Sequence, residues 1–281
     1  MSQPHDPDGP DGTRGTDRTD GTHGAKGTDD TREADRRPWL RVTPAEYVGW
    51  DVDVLYGPWP RHHRDTTLPE VRARLAASPV AGALALSTRG ALYDDAAGNA
   101  ETLRDLADCP ELLPVGTADV RDALAAEDRI GELVAAGVRF LRLFTAEQDA
   151  DPAFPGYRHV VELALAHGLV LLHDGDPRRF GPGLTGRGAE VVFLDLHAYA
   201  LADFLLLARS EPGFRASTRM LSGPDSLERV VDTLGPRHLV FGSRTPFMDL
   251  SPATLRLRYA DITDDDRAAI ATKNVEELLA R

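Results

Sequence analysis

Eight short apolar runs recur along this chain, and no other feature narrows its fold so far. They occupy residues 50–56, 80–86, 112–118, 138–144, 169–173, 191–196, 214–218 and 238–242. Val, Leu, Phe and Ala dominate them, which suits buried strands. Between them lie stretches with helical spacing: 67–77, 99–107, 119–136, 156–167, 198–210 and 225–234. The first of these sets Leu68, Val71 and Leu75 on one face. A closing helix over 263–281 begins with Thr263 as N-cap and Asp264, Asp265 and Asp266 in the first turn. Strands that alternate with helices imply a parallel sheet. Eight such units in roughly 240 residues is the count of an α/β (β/α)8 barrel. An open doubly wound sheet is the alternative, but no Gly-x-Gly-x-x-Gly follows any strand and no P-loop occurs. The weakest crossover is 174–190, where Asp174-Gly175-Asp176-Pro177 and Gly181-Pro182-Gly183 read as a long loop over the strand ends.

The barrel is expected to occupy residues 38–281. Residues 1–37 repeat Gly, Thr, Asp and Arg in imperfect pieces and contain no Leu, Ile, Val or aromatic residue. Such a stretch cannot offset its ordering entropy by burial, so a disordered tail is expected. Its Asp-rich pieces lack the spacing and closing Glu of a calcium loop. The net charge of −13 argues against a nucleic-acid surface and against anionic membranes, both of which need a basic face. No apolar run approaches the ~20 residues of a membrane span. The single cysteine, Cys109, forbids an internal disulfide and points to the cytoplasm.

In parallel barrels the site is built at the carboxyl ends of the strands. The final apolar run breaks at Gly242-Ser243, and Pro246 forbids its continuation, which leaves Arg244 just past a strand end. The other runs supply polar groups at the same level: Asp51 and Asp53, then Arg139 and Arg142, His173 and Asp174, Asp195 and His197, and Ser217, Thr218 and Arg219. Two histidines ending adjacent strands, with Asp53 from the first, could make a three-ligand metal site with an open position. Alternatively one histidine could act as acid or base while Arg142 and Arg244 hold an anion. Plainer readings stand beside these. His173 could be a buried histidine ending a strand, and His197 could only mark the start of a helix. A buried Asp53 needs a partner, for which Arg142 is suited, and it could equally pair with Arg244 across the barrel mouth. His62 and His63 read as surface residues, His159 and His167 as residues on a helix, and Cys109 as no nucleophile.

The order of these pieces resembles the amidohydrolase superfamily, in its branch of metal-dependent hydrolases and decarboxylases. Trp50-Asp51-Val52-Asp53-Val54-Leu55-Tyr56-Gly57 resembles the first-strand Asp-x-His-x-His-x-Gly of that family. Residues 137–144 resemble its fourth strand, His173 its fifth-strand histidine and His197 its sixth. Phe241-Gly242-Ser243-Arg244-Thr245-Pro246 is similar to its Phe-Gly-Ser-Asp-x-Pro, and Asn274-Val275-Glu276-Glu277-Leu278-Leu279 to its last helix. The resemblance implies a barrel that hydrolyses or decarboxylates a small carboxylate or amide. It assigns Asp53, His173 and His197 to catalysis or to one divalent, zinc-type metal, and Arg142, Ser243 and Arg244 to substrate. A degenerate barrel that binds an anionic small molecule without turnover is the alternative. Relatives of this kind suggest a homodimer. Three departures bear on the metal: Asp53 and Leu55 replace the paired histidines, and Arg244 replaces the eighth-strand aspartate. An arginine cannot bind a cation, and its fixed charge opposes one nearby.

Overall fold

In the computed structural model, residues 48–59, 64–92 and 94–281 are described. The tail over 1–37, the first residues of the expected barrel domain, and His62 and His63 lie outside them. The barrel begins with β1 (Val48–Trp59), whose end is met by a short antiparallel strand, Arg64–Thr66. Helix α1 (Leu68–Ala76) follows behind a full capping box: the Thr67 hydroxyl accepts from the Glu70 N–H, and the Glu70 carboxylate accepts from the Thr67 N–H at 2.8 Å. The chain continues through β2 (Val80–Ser87), α2 (Asp95–Leu106), β3 in two pieces (Leu112–Pro114 and Gly116–Thr117), α3 (Ala126–Ala135), β4 (Phe140–Leu143) and α4 (Pro155–Ala166). It then forms β5 (Val170–His173), β6 (Val191–Phe193), α5 (Leu201–Ala208), β7 (Phe214–Ser217), α6 (Ser226–Leu234) and β8 (Leu239–Val240).

Each strand pairs in parallel with the next in sequence. The Val115 N–H donates to the Ala85 carbonyl at 3.0 Å across the break in β3. The ring closes where the Val52 N–H donates to the Phe241 carbonyl at 3.0 Å and the Leu55 N–H to the Thr245 carbonyl at 2.8 Å. All eight expected strands are present, so the closed barrel replaces the open-sheet alternative. The connection between β5 and β6 carries only two short helical turns, Pro177–Phe180 and Gly181–Gly183, as its Gly and Pro content suggested.

The longest helix absent from the sequence expectation is α7 (Leu250–Tyr259), capped by the Asp249 carboxylate. Its apolar spacing is thin, and Pro252 lies within it. A proline in the first turn removes no hydrogen bond that the helix would have made. The closing helix runs in pieces, α8 (Asp264–Ala268) and α9 (Asn274–Leu279), joined by one wider turn over Ala269–Lys273.

Strand alternation builds two cores. Leu84, Leu86, Val115, Phe140, Leu172, Val192 and Val240 cluster with other strand residues and with Val275 and Leu278 of α9, which marks the barrel interior. Their strand neighbours Ala83, Ala85, Leu141, Leu171, Val191 and Leu239 pack outward against helix residues such as Ile130, Val160 and Val230. This parity decides which strand-end residue enters the site.

Candidate functional site

Arg142 pairs in register with Leu172 and therefore points inward. A register shift between Asp51 and Val54 on β1 accompanies the placement of Asp53 on the same interior. Arg142 Nη1 donates to Asp53 Oδ1 at 2.6 Å. Its Nη2 reaches the Asp174 carboxylate at 3.0 and 3.1 Å, and its guanidinium carbon lies 4.7 Å from the centre of the Phe144 ring. Arg219, past the end of β7, donates to the second oxygen of Asp53 and to Asp195 Oδ1. The Gly175 N–H holds the other Asp195 oxygen at 2.7 Å. Arg244 completes the ring, with Nη1 3.8 Å from Asp195 Oδ1.

Three guanidiniums and three carboxylates thus meet at the strand ends, with formal charges that cancel. Arg142, Arg219, Asp53 and Asp174 are buried, whereas the side chains of Asp195 and Arg244 are 22% and 25% exposed. Burial alone would raise every carboxyl here. At Asp53 the guanidiniums of Arg142, Arg219 and Arg244 overcome it and hold the group well below the usual carboxylate range. At Asp174 burial wins against Arg142 and Arg219, and its pKa is pushed up to about 6. At the half-buried Asp195 partial desolvation raises the carboxyl, but Arg219 outweighs it and keeps the group low. Arg256 of α7 secures the ring from outside by donating to the Thr218 carbonyl at 2.8 Å and the Arg219 carbonyl at 3.3 Å.

The other expected site residues lie elsewhere. His173 follows Leu172 by one position and so faces outward. Its ring is packed among Tyr157, Phe180 and Phe193, with Nε2 2.9 Å from the Tyr157 hydroxyl and Nδ1 without a partner. Burial lowers its pKa to about 4, so the ring is neutral. His197 is half-buried, stacks on Tyr199 at 4.9 Å and begins the helical turn Ala198–Ala200. Ser243 is buried. Its hydroxyl donates to Asp51, and its N–H donates to Asp51 Oδ1 at 3.0 Å. It ties the end of β8 to β1 and has no face left for substrate. Burial pushes the Asp51 carboxyl up to about 7, against the Ser243 hydroxyl. His159 and His167 are exposed on or beside α4, and Cys109 is buried and unpaired.

The expected ligand set of Asp53, His173 and His197 is therefore corrected. The three are not brought together, and among the described residues no group of three His, Cys, Asp or Glu is arranged to hold a metal. Asp53 has both oxygens engaged by guanidiniums, and a divalent cation beside it would face three fixed positive charges. These donors do not fit a zinc-type ion. Arg219, Asp174 and Asp195 are the members of the ring that went unassigned in the sequence, although each was recognised at a strand end.

No family model and no curated protein matches the chain. Its fold does match solved structures. A 2,6-dihydroxybenzoate decarboxylase from Rhizobium shares 13% identity at a TM-score of 0.66, over 84% of this chain and 98% of that one. The 5-carboxyvanillate decarboxylase LigW2 from Novosphingobium aromaticivorans, solved with bound manganese, shares 10% identity at a TM-score of 0.67, over 85% and 98%. A probable 2-pyrone-4,6-dicarboxylic acid hydrolase from Acinetobacter baumannii shares 13% identity at a TM-score of 0.63, over 83% and 100%. The chain thus has the (β/α)8 fold of amidohydrolase-type decarboxylases and hydrolases. A divalent metal, manganese, is bound by at least one protein of that fold.

Proposed function

We propose that this barrel is a hydrolase- or decarboxylase-type protein that takes a small carboxylate or amide substrate at its mouth, with an arginine–carboxylate ring where its resemblance implied a metal centre. One observation carries the reading. Arg244 is the single guanidinium of the ring that reaches solvent, and its one ionic contact among the described residues is loose at 3.8 Å. A guanidinium so placed can offer two parallel N–H donors to an incoming carboxylate. Arg219 and Arg142 lie behind it as fixed supports, their terminal Nη donors committed to Asp53, Asp174 and Asp195. Asp195 both approaches Arg244 and reaches solvent. Of the ring's carboxylates it is the one a substrate can meet from solvent, with Arg219 and the Gly175 N–H already on its two oxygens. Aromatic carboxylates are named for two of the structural neighbours, which favours that class of ligand.

A second reading, binding without turnover, is favoured by Asp53, whose two oxygens are both occupied and so cannot act on a substrate. Benzoate and 2,6-dihydroxybenzoate test both. Each is expected to raise the melting temperature of the wild-type protein in proportion to RT ln(1 + [L]/Kd), and to leave Arg244→Ala unmoved. Formation of resorcinol from 2,6-dihydroxybenzoate, followed by proton NMR, identifies a decarboxylase; protection without product identifies a binding protein. Protection of wild type and Arg244→Ala to the same extent overturns the placement of the site.

A further inference from the structure

A second groove lies on the same face of the barrel, between the segments that follow β3 and β4. Its volume is about 540 Å³, within the ~300–1,000 Å³ of small-molecule sites. Val120 and Tyr157 line it from below, while Leu124 and Phe154 line it with large exposed side chains, at 98% and 54% exposure. Large apolar groups held in water around a concave surface mark a binding surface more often than scattered single ones do.

The groove is built in advance. Gln148 bridges the two segments, its Oε1 accepting from the Val120 N–H at 3.1 Å. The turn that carries it is pinned by the Gln148 N–H on the Phe144 carbonyl at 3.0 Å and the Ala150 N–H on the Thr145 carbonyl at 2.8 Å. Asp149, between them, sits at φ +50°, a strained conformation for a residue with a side chain. On the other side, Gly156 lets α4 approach closely: a Cβ there would lie 2.4 Å from the Val120 carbonyl oxygen. Gln148 also holds the chemical cue. Its Nε2 is buried and has no hydrogen-bond partner among the described residues. A buried amide donor left unmade is costly, and an acceptor brought to the groove wall would recover part of that cost.

Charge sets the ligand class. Asp149 is exposed on the groove, Asp122 beside it is paired with Arg129 Nη2 at 3.1 Å, and the Arg121 guanidinium is engaged by both oxygens of Asp119. The groove thus disfavours anions, in contrast to the ring around Arg244. We propose that it binds a neutral aromatic molecule carrying a carbonyl oxygen, with the ring against Leu124 and Phe154 and the oxygen on Gln148 Nε2. The site is independent of Arg244 and of any reaction at the mouth.

Benzamide is the probe, with binding followed by titration in protein NMR. Leu124→Glu and Phe154→Ala change exposed positions and should leave the melting temperature near wild type. Benzamide binding is expected to weaken at least about tenfold in each, to be unchanged in Arg244→Ala, and to exceed that of toluene, which lacks an acceptor, by about tenfold. Binding that both groove variants retain, that Arg244→Ala abolishes, or that does not occur at all overturns the assignment. Equal binding of toluene removes Gln148 from it.

Discussion

Arg142 and His173 lie on neighbouring strands, both wholly buried and both near the carboxyl ends, yet their surroundings differ in kind. Arg142 sits in a ring of six charges where each buried group answers another. His173 sits among three aromatic rings, neutral, with one nitrogen on a phenol and the other on nothing. The barrel interior pairs charges at full strength, whereas the outer layer keeps its polar group uncharged. A charge inside the ring is therefore indispensable to its partners, while the histidine is close to a packing residue.

The comparison breaks most readily at Asp53. Replacing Asp53 with Asn leaves Arg142 and Arg219 facing each other with one buried charge uncompensated. A loss of about 3–5 kcal/mol is expected, read from urea unfolding. A change below about 1 kcal/mol would show that the ring is not held as described.

His173→Phe tests the other side. The substitution keeps a ring of similar size but leaves the buried Tyr157 hydroxyl without the Nε2 it meets, so a cost of about 1–3 kcal/mol is expected at neutral pH. A cost matching that of Asp53→Asn would erase the contrast.

The same variant sharpens it through pH. The folded His173 pKa is about 4, below the unfolded value near 6.5. Between these values the unfolded chain binds the extra proton, so this residue makes wild type less stable as pH falls from 6.5 towards 4. Asp51 and Asp174, raised to about 7 and about 6, act in the opposite direction, losing stability as pH rises through those values. They are present in both proteins and cancel in the difference. His173→Phe should therefore gain on wild type as pH falls through that window, by up to about 1.4 kcal/mol per pH unit. A difference flat in pH would mean that His173 is not buried neutral.

The smallest effect on stability belongs to Arg244→Ala. Its one ion pair among the described residues is long and partly exposed, so the cost should stay within about 1 kcal/mol by the same unfolding assay. The damage is expected in carboxylate binding instead.

Much of this architecture was legible before the coordinates. The eight strands could be read because each is a short apolar run bounded by turn residues, and the polar residues at their ends fell into place with them. The pairing of Asp53 with Arg142 was legible too, since a buried carboxylate demands a cation. Parity was not taken into account. In Leu169-Val170-Leu171-Leu172-His173-Asp174, an inward Leu172 sends His173 outward and Asp174 inward, and alternation along the strand contains that information. Ser243 was misjudged for another reason: its partner Asp51 is 192 residues away, and no local pattern announces a closure bond. Helix α7 stayed hidden because its apolar face is thin and a proline falls in its first turn.

The central claim is that an arginine–carboxylate ring, and not a metal, organises the strand ends. Its most direct test is the metal content of the purified protein, with the melting temperature followed before and after chelation and after addition of manganese or zinc. No stoichiometric metal and an unmoved melting temperature are the predicted result. A bound divalent ion whose removal destabilises the wild-type protein, but not Asp53→Asn, would contradict the claim and place a metal on Asp53 after all.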